Sequence, residues 1–279
     1  FNAIVSVGMT LVIITAGIDL SVGSVMALAE CMLGLSAVKF GWGLSIGVII
    51  GLMVGLLCGF VNGILVTVTR LPPFIATLGM MSIARGLALV VTGGFSITLL
   101  NSRGIGILHW LGDGLLSDKL AIPLLGAVPM PVLIMTLVVI IGWVLLSHGR
   151  LGRYIYAVGG NEEAARLSGV NVGATKLIVY SICGFLAGLA GMLLSGRVRS
   201  VRPTDGYMWE LDAIAAVVIG GTSLMGGRGS VIGTFFGAAL IAILRNGLVL
   251  LHVSAFWQQV VIGSVIIIAV MFDTLGRRQ

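Results

Sequence analysis

The chain has 279 residues, 58% of them hydrophobic and 9% charged, with a net charge of +6. Soluble domains carry about 25% charged residues, so a soluble globular fold is excluded, and no basic run of the kind that binds nucleic acid is present. Unbroken apolar runs reach the roughly 20 residues that a bilayer-crossing helix needs, and the alternating segments of a membrane β-barrel are missing; the predicted class is an all-α integral membrane protein, a polytopic helical bundle.

Nine runs are predicted as spans: 1–17, 21–38, 43–67, 73–93, 126–147, 174–197, 210–222, 229–250 and 254–273. The first opens at Phe1 already inside an apolar run and without a signal peptide, so at least one earlier span is expected ahead of it. Next comes Ala16-Gly17-Ile18-Asp19-Leu20-Ser21. A carboxylate at the centre of a lipid-embedded helix costs roughly 2.5–3.5 kcal/mol on insertion scales. Asp19 is therefore expected at a span boundary, in a protein-lined cavity or capping a helix. Asp19 or Ser21, just before Val22-Gly23-Ser24, suits an N-cap of the second span, with substrate contact as the alternative. Glu30 and Arg85 lie deep in apolar runs and are expected to pair with each other or to line a polar cavity.

Gly47, Gly51, Gly55, Gly59 and Gly63 recur every four positions and line one face of the third span; Gly184 and Gly188, and Gly229, Gly233 and Gly237, repeat the pattern. In lipid no hydrophobic force drives helices together, so small-residue faces that allow close approach do the holding, here within the chain or between two copies. The mixed stretch 94–122, with Asn101, Arg103, Asp113, Asp118 and Lys119, reads as an outer loop carrying a short surface helix.

The most polar segment is Arg150 to Lys176. Within it Asn161 suits an N-cap, Glu162 and Glu163 sit in the first turn where the helix dipole favours anions, and Gly169 is a natural stop. The predicted helix, with Ala164, Ala165 and Arg166 in its body, has about two turns, too few for stability alone in water. Docking on a partner would supply the remainder; lying on the membrane surface is the alternative. Placing this loop in the cytosol puts Arg70, Arg150, Arg153, Arg166, Lys176, Arg228, Arg277 and Arg278 inside. Lys39, Arg103, Lys119, Arg197, Arg199, Arg202 and Arg245 then fall outside, and the clusters at 150–176 and at the C-terminus tip the orientation.

Arg197, Arg199 and Arg202 follow a span that should end at the outer face, where they would dock an acidic partner or contact headgroups, with Asp205, Glu210 and Asp212 near enough to neutralise part of the cluster. Polar or bulky span residues (Asn62, Thr77, Ser82 and Asn246, with Phe74 and Trp257 as apolar walls) are candidate pathway positions. Asn62-Gly63 and Asn246-Gly247, and likewise Gly79 and Gly263, share one offset along the chain, the pattern of an inverted-topology repeat. His109, His148 and His252 are scattered without metal spacing, and Cys31, Cys58 and Cys183 read as small core residues. No Gly-x-x-x-x-Gly-Lys-Ser/Thr run exists, so any ATP must be used by another chain.

Glu163-Ala164-Ala165-Arg166-Leu167-Ser168-Gly169 resembles the EAA-x-x-x-G loop of bacterial ABC importer permeases. The chain is similar to the ribose-type branch of that superfamily through Gly17 to Ser24, which includes Gly23, through Asn62-Gly63, and through Leu71 to Gly79. Ala157 to Asn161 and Ile219 to Gly229 extend the resemblance. It implies a type II permease with ten spans in the complete protein, two copies forming one pathway, in the bacterial inner membrane. The EAA-type loop would be the coupling helix in a cleft of a cytosolic ATPase that uses ATP and Mg, with no cofactor in this chain. A periplasmic binding protein would deliver a monosaccharide to the outer face. Nucleosides, a furanose signal molecule or branched-chain amino acids fit the same motifs, and an ion-coupled transporter using Asp19, Glu30 and Arg85 is the competing class.

Overall fold

A computed structural model describes residues 1–115 and 128–275. The expectations at Asp118, Lys119, Arg277 and Arg278, and for 116–122 of the outer loop, lie outside these residues. Each of the nine apolar runs contains a helix: α1 Asn2–Ile14, α2 Val22–Gly34 continued by a π-helical turn Leu35–Lys39, α3 Leu44–Thr67, α4 Pro73–Thr92, α6 Met130–His148, α9 Val172–Val198, α10 Trp209–Ile219, α11 Val231–Leu250 and α12 Ala255–Leu275. Among the described residues, six helices (α2 with its continuation, α3, α4, α6, α9 and α11) are long and apolar enough to cross a membrane.

Local chemistry sets several boundaries. Pro73 opens α4 and Gly93, at φ 65°, closes it in the left-handed region. Asn171 and Ser230 cap α9 and α11 by accepting from Ala174 N and Gly233 N. The 94–122 stretch does carry a helix, α5 Ile105–Asp113, but it is not confined to the surface. Its Leu108 and Gly112 are buried against the C-terminal end of α9, where Gly196 faces the Leu108 backbone.

The glycine faces close on partners within the chain. Gly55 and Gly59 of α3 meet Gly184 and Gly188 of α9 backbone to backbone, and Gly47 and Gly51 lie against Leu33 and Ala29 of α2. Gly233 and Gly237 of α11 pack in the same way on Gly220 and Ala216 at the end of α10. A Cβ at Gly55 would lie 2.5 Å from the Gly184 carbonyl oxygen, so even alanine there would force the helices apart. The long helix α9 is thereby held at the centre, in contact with α1, α2, α3 and α5.

The seventh predicted span is a half-helix. α10 has 11 residues, about 16 Å at the helical rise. Before it the chain is not helical: β2 Ser200–Val201 pairs antiparallel with β1 Ile97–Thr98, and the chain then dips alongside α2. Val201 packs on Gly34, and Gly206, at φ 69°, packs on Gly23. This segment thus follows α2 over 11 residues, roughly 16 Å. Non-helical backbone at such depth is tolerated only when buried in protein, and Arg85 of α4 supplies it with donors: its guanidinium Nη1 donates to the carbonyls of Pro203 at 2.5 Å and Asp205 at 2.9 Å.

The predicted Arg150–Lys176 loop differs most from expectation. It holds two helices, α7 Arg150–Gly160 and α8 Glu162–Leu167, before α9 begins. Only the helix around 161–169 is expected in this stretch; α7, which contains Gly152, Gly159 and Gly160, is not. Yet Ile155 and Val158, three apart, point one apolar stripe into the protein.

Candidate functional site

At one end of the bundle α8 stands out with four of its six residues exposed: Glu163, Ala164, Arg166 and Leu167. The predicted cap is present. The Asn161 side-chain oxygen accepts from Ala164 N at 2.9 Å, Glu162 and Glu163 occupy the first turn, and Gly169, at φ 83°, turns the chain out of the helix. Six residues are fewer than two turns, so the helix is shorter than the sequence suggested. Ala165 anchors it from below by packing with Val158 of α7 and Val172 of α9. Leu167 is 85% exposed, an unpartnered apolar side chain that sequence reasoning did not single out.

Glu162 does the second part of the anchoring. Its carboxylate accepts from Lys176 Nζ at 2.6 Å and from Arg166 Nη2 at 3.0 Å, so it clips α8 to the first turns of α9. The Lys176 hydrogen bond, more than the nearby charges, holds the Glu162 carboxyl below its ordinary range. Glu163 carries no ion pair among the described residues and is left free toward solvent. Beside the clip lies a cleft of about 680 Å³, lined by Arg70, Leu71 and Pro72 of the α3–α4 connection and by Glu162, Arg166 and Lys176.

The α7–α8 unit is also tied to the rest of the bundle through backbone. Gly159 sits directly on the Ile14 carbonyl at the end of α1, leaving no room for a Cβ, and on Gly227. Gly227 N donates to Ile14 O at 2.9 Å, and Tyr156 Oη donates to Gly229 O at 2.8 Å. The Ile219–Gly229 motif is thus the strap that joins α10 to α11 beneath α7. α8 itself touches α7 and α9, and α7 in turn bears on the end of α1 and on the strap between α10 and α11.

A buried polar knot lies where α1 passes to α2. Asp19 Oδ1 accepts from Ser21 N at 2.9 Å and Ser21 Oγ at 2.6 Å, and Asn62 Nδ2 of α3 donates to Ser21 Oγ at 2.9 Å. Asp19 is thus an Asx-type turn rather than a helix cap, and Ser21 occupies the N-cap position of α2 without a side-chain cap bond. Thr77 of α4 donates to Ile18 O at 3.1 Å and Pro73 O at 2.9 Å. Of the six candidate pathway residues, Asn62 and Thr77 thereby converge on this turn and are fully buried. Phe74, 53% exposed on α4, and Asn246, exposed on α11, lie away from it.

At the opposite end the arginine cluster is partly spoken for. Arg197 Nε lies 3.6 Å from Asp113, Arg199 Nη2 contacts His109 Nε2 at 2.5 Å, and Arg202 Nε lies 3.5 Å from Asp205. Asp212 does not serve this cluster; it accepts from Arg245 of α11 at 2.7 and 2.8 Å. The expected Glu30–Arg85 pair is likewise not formed, because Arg85 is committed to the Pro203 and Asp205 carbonyls. Among the described residues no group of three or more His, Cys, Asp or Glu could hold a metal ion.

Comparison with known proteins places this architecture. The family model of the branched-chain amino acid transport system permease component matches residues 2–270. The chain is 48% identical over 272 residues to the ribose import permease protein RbsC of Escherichia coli K12, covering 98% of this chain and 82% of that protein. To RbsC of Bacillus subtilis 168 it is 47% identical over 276 residues (98% and 81% covered), and to the xylose transport system permease protein XylH of E. coli K12 40% identical over 326 residues (100% and 83% covered). No solved structure matches the chain. The chain belongs to the branched-chain amino acid transport system permease component family, and is a transport subunit rather than an enzyme.

Proposed function

We propose that this chain is the inner-membrane permease of an ATP-driven importer for a monosaccharide, a pentose or hexose. The observation that carries the reading is near-half identity, over 98% of the chain, to permeases named for ribose import. In this reading the helices of the nine apolar runs form the membrane domain, and two copies enclose the pathway. Gly79 and Gly263, which both sit on open helix faces, are consistent with an internal repeat, although Asn62 is buried where Asn246 is exposed. The two polar ends support the orientation. Arg70, Arg166 and Lys176 meet around the α8 cleft, whereas Arg103, Arg197 and Arg199 gather near Leu44, Asp113 and His109 at the far end.

The exposed face of α8 (Glu163, Ala164, Arg166 and Leu167) is the docking handle for a cytosolic ATPase that binds ATP and Mg. Asn161, Glu162, Ala165 and Gly169 shape and hold it. ATP-driven closure of that partner would pull on α8 and rock the helices tied to it. Arg197, Arg199 and Arg202 at the outer end would receive the periplasmic binding protein. Lipid covers the apolar flanks.

The test is a pair of variants reconstituted with the ATPase and binding protein. Glu163→Lys reverses the free charge on the handle, and Gly169→Val places a β-branched side chain at φ 83°. Both should insert normally in the membrane while ribose uptake per ATP hydrolysed falls about tenfold or more, the equivalent of roughly 1.4 kcal/mol of lost coupling. Wild-type coupling in both variants would refute the handle.

A further inference from the structure

Glu30 poses a problem that the transport reading does not solve. It sits midway along α2, 0% exposed, and neither carboxyl oxygen has a hydrogen-bond partner. Facing it from the dipped segment is Asp205, whose Oδ2 is also buried and unpartnered. Two carboxylate oxygens meeting face to face out of water offer four lone-pair sites, and when both are ionised neither can donate to the other. Each unsatisfied buried acceptor is destabilising, more so when charged. A single proton removes the conflict, because a protonated carboxyl becomes a donor to the other.

The surroundings fix where that proton sits. Arg202 Nε lies 3.5 Å from Asp205 Oδ1, which leaves Oδ2 as the oxygen of that carboxyl without a partner, and the Arg202 backbone amide lies toward Glu30. Arg85 of α4 is held by the Pro203 and Asp205 carbonyls, so its charge lies near but it makes no ion pair with Glu30. Glu210 at the start of α10 stands on the other side of Arg85, and Cys31 is the neighbour on α2 itself. α3, which packs along α2, brings no charged side chain between Leu44 and Thr67, and the ionisable residues of α9 nearest to α2, Tyr180 and Cys183, face Asp19 instead.

We infer that Glu30 and Asp205 form a proton-binding site inside the bundle, in which one proton on the Glu30 carboxyl is shared with Asp205 Oδ2 and seats the 202–208 segment against α2. No bond other than O–H···O is made or broken, and the proton exchanges with water when the segment lifts. Because the seated segment holds a proton that the lifted one releases, rising pH favours lifting, with a slope of at most one proton. This site is independent of the ATPase handle, which lies at the other end of the pull described above.

The experiment uses the full-length permease in lipid nanodiscs. Infrared difference spectra of wild type minus Glu30→Gln, and of wild type minus Asp205→Asn, should each show one protonated-carboxyl band at neutral pH that shifts in deuterium oxide. Either amide supplies the missing N–H donor, so both variants should fold, and their thermal midpoints should lose the decline with rising pH that wild type shows. Absence of the band from both differences, or variants whose midpoints track wild type from mildly acidic to alkaline pH, would overturn the proton site. Neither outcome depends on ribose uptake, so failure here leaves the transport reading standing.

Discussion

Asp19 shows how a carboxylate survives inside an apolar bundle. Its Oδ1 takes two donors from Ser21, and Ser21 in turn is held by Asn62 from a helix 41 residues further on. The knot therefore pins the α1–α2 turn to α3 through the Asn62 amide nitrogen, while Asn62 Oδ1 is buried without a hydrogen-bond partner. Replacing Asn62 with Leu removes the donor to Ser21 Oγ and should cost about 1–3 kcal/mol. Asn62→Asp should be worse, because it buries a second carboxylate beside the first. Thermal unfolding of the detergent-solubilised protein should rank wild type above Asn62→Leu and Asn62→Asp last; a stable Asn62→Asp would mean that water reaches the turn.

At the scale of elements, α8 is a helix of six residues held by three separate devices: the Asn161 cap, the Ala165 contact and the Glu162–Lys176 clip. The clip gives it a pH dependence whose sign follows from Glu162. Its carboxyl is held below the ordinary range when folded, so its contribution is present above the usual carboxylate pKa and is lost as pH falls through the lowered value. The protection of the 164–168 amides, their exchange relative to the unstructured chain at the same pH, should therefore hold at neutral pH and fall only in acid below about pH 4, the ordinary Glu range. Glu162→Gln should be less protected already at neutral pH, with little further change in acid; equal protection in the two proteins would show that the cap and Ala165 suffice. The cap was legible in the sequence because Asn161, Glu162, Glu163 and Gly169 act within nine consecutive residues. Glycine spacing, for the same reason, foretold the α3 face that meets α9. The partners of Glu162, Glu30 and Arg85 were not legible, since Lys176, Asp205 and Pro203 reach them only through the fold. α7 was not legible either, since its Gly159 meets Ile14 and Gly227 only through the fold.

Across the whole molecule the decisive joint is Gly159. It is the point where the α7–α8 unit bears on the end of α1 and on the strap between α10 and α11, backbone against backbone. A force applied at α8 reaches the membrane helices through this joint and through α9, which carries the glycine contacts to α3. Interfaces of this kind transmit motion because packed backbones cannot compress. A Cβ at Gly159 would meet the Ile14 carbonyl and Gly227 N, whereas one at the neighbouring Gly160 would meet open space. Gly159→Val should therefore push α7 off α1 while leaving the exposed face of α8 intact. The variant should still co-purify with its ATPase but lose most ATP-driven uptake, whereas Gly160→Ala, one residue away, should both co-purify and transport like wild type. If Gly159→Val transported as well as Gly160→Ala, the pull on α8 would have to travel through α9 alone, and the strap would be a brace rather than part of the drive.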